Sequence, residues 1–79
     1  VIKLNCSCNS LTVLPSEIGQ LINLRYFNCS GNKLTVLPSE IGQLINLQEF
    51  YHGNNEIEYM PPNVQRLINR LEQTYKNSQ

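Results

Sequence analysis

The sequence predicts an α/β fold: a right-handed solenoid with a short parallel sheet on its concave face, irregular or 3₁₀ returns on the convex face and a C-terminal α-helical cap. Three observations predict it. The stretch LTVLPSEIGQLINL stands at Leu11–Leu24 and recurs unchanged at Leu34–Leu47, a step of 23 residues. The same step aligns Leu4 with Phe27 and Phe50, Cys6 with Cys29 and His52, Asn9 with Asn32 and Asn55, and Leu11 with Leu34 and Ile57. After Ile57 the repeat decays into an apolar stripe, Val64, Leu67, Ile68, Leu71 and Tyr75, at the three- and four-residue steps of an amphipathic helix. A fixed period of this length marks a unit that cannot bury its apolar face alone and stacks on copies of itself.

Taken in order, the strands come first. Around Lys3–Ser7, Tyr26–Ser30 and Glu49–Gly53 apolar residues alternate with polar ones, the pattern of a strand with one buried face. Each is separated from the next by a long return and runs with the same polarity, so the sheet is parallel. Asn9, Asn32 and Asn55 follow at the corner, where an amide that both donates and accepts satisfies backbone groups that a solenoid bend leaves unpaired. We read this ladder as structural. The returns carry Leu11, Leu14, Ile18, Leu21 and Leu24 and their copies, with Pro15 and Gly19, or Pro38 and Gly42, bounding a single helical turn. Gly19 and Gly42 are expected to permit tight turning, and Ser16-Glu17 and Ser39-Glu40 to cap locally. Pro61, Pro62 and Asn63 supply helix-start signals, with either Pro62 in the first turn or Asn63 as the cap. The opposite helix face is polar and includes Arg66 and Arg70. Residues 1–60 thus read as about two and a half repeats and residues 61–79 as a capping helix.

The pattern LxxLxLxxNxL followed by LPxxIGxLxNL resembles the leucine-rich repeat over about residues 1–60. It is most similar to the 23-residue intracellular type found in Ras-suppressor, scribble and plant Ras-group-related proteins. The strand wording LNCSCN and FNCSGN also looks like repeats of amoebae and their giant viruses. The resemblance implies a curved solenoid that holds other proteins on its concave sheet, with a small GTPase as one partner class.

Composition narrows the function. Six basic and six acidic side chains cancel and are scattered, so neither a nucleic acid nor an anionic membrane is an expected partner. There is no apolar run long enough for a bilayer and no leader pattern, and a cytoplasmic setting is expected. The three cysteines, Cys6, Cys8 and Cys29, read as reduced thiols. Asn5-Cys6-Ser7 and Asn28-Cys29-Ser30 match the glycosylation acceptor pattern, which matters only in a secreted chain. Cys6, Cys29 and His52 share a column, but an inward row of three with no fourth ligand is not a tetrahedral zinc site, so no metal and no cofactor is assigned. Asp is absent and His52 is the sole histidine, and a Cys29-His52 pair facing inward lacks the exposure a nucleophile needs. The expectation is that the chain is not an enzyme.

Because the returns are identical, whatever distinguishes one unit from the next lies in the strands. Their outward positions are Lys3, Asn5 and Ser7, then Tyr26, Asn28 and Ser30, then Glu49 and Tyr51, and these are the candidate partner-binding residues. Two tyrosines among amides and opposite charges suit protein contact, since Tyr supplies apolar area with a polar tip. The strand Ile2–Ser7 begins within a unit and presents a free edge, so the chain is expected either to derive from a longer array or to self-associate through that edge. The alternative function is a purely structural terminal cap, with recognition on repeats upstream.

Overall fold

The computed structural model describes the backbone of residues 1–77 and the side chains of residues 1–73. Strand β1 (Lys3–Asn5) leads to a 3₁₀ turn (Ser16–Gln20), β2 (Tyr26–Asn28) to a second 3₁₀ turn (Ser39–Gln43), and β3 (Glu49–Tyr51) to helix α1 (Pro62–Asn77). The sheet is parallel in the order β1-β2-β3, and its register follows the 23-residue step, Leu4 opposite Phe27 and Phe27 opposite Phe50. Backbone bonds outside the strands repeat at the same step. Cys6 N–H donates to Asn28 C=O and Cys29 N–H to Tyr51 C=O, while Lys33 N–H donates to Leu11 C=O and Glu56 N–H to Leu34 C=O.

The strands are three residues each, shorter than the alternation predicts. Their ends are set by side chains and by backbone handedness. Asn5 Oδ1 accepts from the N–H and Oγ of Ser7, and Asn28 Oδ1 accepts from those of Ser30. One residue further on, Cys8, Gly31 and Asn54 all take positive φ, at 60°, 69° and 54°. The chain therefore turns left-handed at this point in every unit, and in the first unit again at Ser10 (φ 58°), a conformation that favours Gly and Asn over other residues.

Leu24, Phe27, Cys29, Leu34, Leu37, Ile41 and Leu44 in the middle of the stack are wholly buried, as is Val64 on the helix that follows. Burial fades toward both ends. Leu4, Cys6 and Leu11 on one side and Phe50, His52 and Ile57 on the other are only half-buried. Phe27 and Phe50 stack with rings 5.5 Å apart, and His52 tilts against Phe50 at 5.0 Å.

Helix α1 begins at Pro62, whose missing N–H costs nothing in a first turn. Asn63 is not its cap: Asn63 Nδ2 donates 2.7 Å to Ser39 C=O, one coil back. An equivalent bond, 2.8 Å from Asn46 Nδ2 to Ile22 C=O, ties the two returns together. Val64, Leu67 and Ile68 are buried and Leu71 half-buried, while Tyr75 lies outside the residues whose side chains are described. The helix packs chiefly on the second 3₁₀ turn and only lightly on β3. It thus closes the return side of the stack.

Two expectations for the returns are corrected. Gly19 and Gly42 do not take positive φ and serve close approach instead. A Cβ at Gly19 would stand 2.9 Å from the Glu40 carbonyl oxygen of the next coil, and one at Gly42 would run into the Asn63 side chain. Ser16 does not cap the backbone either. Pro15 holds the cap position without a side-chain bond, and Ser16 Oγ donates to Glu17 Oε1.

Candidate functional site

The outward strand residues form a three-column face. In the first column Lys3 Nζ lies 4.7 Å from the centre of the Tyr26 ring, a cation over an aromatic face. Tyr26 in turn meets Tyr51 diagonally, with centroids 5.5 Å apart and planes tilted by 51°. Tyr51 OH donates 3.0 Å to Glu49 Oε1. A continuous path therefore runs Lys3, Tyr26, Tyr51, Glu49 across all three strands, positive at one end and negative at the other. Register places it: Lys3, Tyr26 and Glu49 stand in one row, and Asn5, Asn28 and Tyr51 in the next.

The amides and hydroxyls on this face play a different part. Asn5 and Asn28 spend their acceptor oxygen on the N–H and hydroxyl of Ser7 and Ser30 in the turn that ends the first two strands. Asn28 Nδ2 also donates weakly, at 3.4 Å, to Tyr26 OH. These four are held in place, and the aromatic and charged side chains stand above them. Tyr51, 46% exposed, offers the largest outward apolar surface of the face.

Below the face lies the asparagine column. Asn32 Oδ1 accepts from the N–H groups of Asn9 and Leu11 in the preceding unit. Its Nδ2 donates to the Cys6 and Cys29 carbonyls, with a longer contact to Ser30 C=O. Asn55 accepts from Leu34 N–H and donates to Cys29, His52 and Gly53 carbonyls, while Asn9 reaches only Cys6 and Ser7 of its own unit. Asn32 and Asn55 thus bind backward across one coil boundary, which holds the neighbouring strands at a fixed spacing. Among the described residues, no buried side-chain nitrogen or oxygen lacks a partner.

The inward thiols are built for burial. Burial pushes the Cys29 thiol up to about 12, with the neighbouring Cys6 adding to the effect, and burial also raises Cys6. A thiol so far from ionising is a poor nucleophile and a poor metal ligand at neutral pH. Among the described residues, no group of three or more His, Cys, Asp or Glu side chains is arranged to hold a metal ion. No described helix is long and apolar enough to cross a membrane.

Two features escaped the sequence reading. Asn46 and Asn63 form a second set of cross-coil bonds on the return side, hidden because Asn63 falls off the repeat step. Val13, Val36 and Tyr59, one unit apart, are 64%, 39% and 59% exposed, and Val36 bridges Tyr59 in parallel. Their shared step of 23 was the available signal.

The family model described as Leucine Rich Repeat matches residues 1–21 and 23–44, more than half of the chain. Among solved structures, a leucine-rich-repeat protein of Leptospira interrogans is similar at 46% identity and a TM-score of 0.77. That similarity covers 82% of this chain and 17% of the Leptospira chain. No curated protein matches the chain.

Proposed function

This chain belongs to the leucine-rich repeat family, and on that premise we propose that it is a non-catalytic module that holds another protein against its outward strand face. Members of the family commonly bind proteins and are typically non-catalytic. The observation that carries the reading is the path Lys3, Tyr26, Tyr51, Glu49, which pairs two rigid aromatic anchors with a charge at each end. Asn5, Ser7, Asn28 and Ser30 position that path through their mutual bonds. The 23-residue step and the wording LPxxIGxLxNL are similar to the Ras-suppressor and scribble type, which favours a cytoplasmic setting and a small GTPase as the first partner to try.

One observation favours the second reading, a terminal cap: α1 covers the return side of the last coil with a polar outer face. The two readings part in a binding experiment. Immobilised chain is titrated with candidate partners by calorimetry or surface resonance, beside a Tyr26→Ala/Tyr51→Ala variant. Loss of at least tenfold in affinity, about 1.4 kcal/mol, is expected if the face binds. An unchanged affinity, with the fold retained by circular dichroism, assigns the chain to capping.

A further inference from the structure

Cys6 and Cys29 are neighbours that the outward face does not use. The β1-β2 register sets Leu4 opposite Phe27 and Asn5 opposite Asn28. The bond from Cys6 N–H to Asn28 C=O carries that register one residue further, so Cys6 stands opposite Cys29. Neighbouring strands put the two Cα atoms about 4.8 Å apart, inside the range of roughly 4.4–6.8 Å that a disulfide spans. Both side chains lie on the inner side of the sheet: Cys29 is fully buried, and Cys6 packs against the same core. One amide fixes the spacing, since Asn32 Nδ2 donates 3.1 Å to Cys6 C=O and 2.9 Å to Cys29 C=O. A charge on Cys6 would push against one on Cys29, which marks the two sulfurs as near neighbours. We infer that Cys6 and Cys29 form a cross-strand dithiol, which a small-molecule disulfide such as oxidised glutathione closes into an internal disulfide joining the first two coils.

The third thiol is set apart from this pair. Cys8 is exposed, sits at positive φ in the turn, and lies over Gly31, where a Cβ would stand 3.0 Å from its Sγ. The closure itself is two exchanges. Cys6, the less buried of the two and acting as thiolate, attacks one sulfur of oxidised glutathione and displaces the other as glutathione thiolate. Cys29 then attacks the Cys6 sulfur of the mixed disulfide and displaces the second glutathione. The two protein thiols lose two electrons, the glutathione disulfide gains them, and the thiol protons pass to the two departing thiolates. Burial raises both protein thiols, so exchange is slow and the position of equilibrium is what reports the fold. The bond would close a loop of one repeat, from β1 through the first 3₁₀ turn to β2. It uses the inner side of the sheet, so it goes beyond the proposed binding role and stands or falls separately from it.

The test uses the 79-residue chain carrying Cys8→Ser, equilibrated in mixtures of oxidised and reduced glutathione, native and again in denaturing urea. Samples are quenched with acid and read by mass spectrometry. Trypsin, cutting after Lys3, Arg25 and Lys33, leaves Cys6 and Cys29 on separate peptides, so the expected product is one that has lost two hydrogens and joins them. The native equilibrium constant for closure should exceed the urea value by roughly a hundredfold. The closed chain should melt roughly 10–20 °C above the reduced one. A native constant no greater than the urea value overturns the inference, because the fold then holds the two sulfurs out of reach. A melting temperature that closure fails to raise, or glutathione that stays on Cys6 without closure, overturns it as well.

Discussion

Asn32 shows how one residue type acquires different weight at equivalent positions. Its side chain takes two backbone N–H groups from the unit before it and gives its amide to carbonyls on both sides of the coil boundary. Asn9 holds the same place in the repeat, but its side chain bonds only within its own unit, close to solvent. A buried donor or acceptor left unsatisfied costs roughly 1–3 kcal/mol. Asn32→Ala should therefore lose about 3–4 kcal/mol, and Asn9→Ala about 1 kcal/mol, by urea denaturation followed at far-ultraviolet wavelengths. Equal losses would mean that the corner bonds are satisfied by water instead. The asparagine column was legible because a 23-residue step repeats it. Its hierarchy was not, since it depends on how many coils flank each copy and no local pattern encodes that. The outward face divides likewise: alternation located Tyr26 and Tyr51, whereas the turn-holding pairs Asn5-Ser7 and Asn28-Ser30 emerge only once the strands stop after three residues.

At the scale of elements, the returns were read correctly as single helical turns and incorrectly as turns that need glycine for backbone freedom. Their glycines are where coils touch, and the difference is measurable because the two sites are not alike. A Cβ at Gly19 meets the backbone oxygen and the Cβ of Glu40, which belong to the next 3₁₀ turn and cannot move alone. At Gly42 the obstruction is the Asn63 side chain, the far end of a group that can rotate away, at the expense of its bond to Ser39 C=O. Overpacking against fixed structure costs roughly 1–3 kcal/mol, and losing one exposed hydrogen bond about 1 kcal/mol. Gly19→Ala should therefore lower the melting temperature more than Gly42→Ala does. The reverse order in a calorimetric scan would show that the two 3₁₀ turns slide past each other and that α1 is the rigid layer. Sequence identity between the returns conceals this asymmetry, since it arises from different neighbours: a second return over the first, a helix over the second.

For the whole molecule, stability is concentrated in one coil. The middle unit alone has packed layers on both sides, and both flanking units keep half of their inward side chains near water. At about 0.05–0.15 kcal/mol per residue, a chain of this length is stable by roughly 4–12 kcal/mol. Phe27 and Phe50 make a clean comparison because they share one stacked pair, so removing either ring forfeits the same contact. What differs is burial, complete for Phe27 and partial for Phe50, and the His52 ring that tilts against Phe50. Truncating a fully buried Phe costs about 3–5 kcal/mol, enough to leave Phe27→Ala largely unfolded at room temperature if the chain lies in the lower part of that range. Phe50→Ala should lose roughly half as much, and keep a cooperative transition in urea. A Phe50→Ala variant as damaged as Phe27→Ala would mean that the packing on Phe50 counts for as much as the packing on the fully buried ring. The gradient of burial from the middle strand outward would then not be what sets the loss.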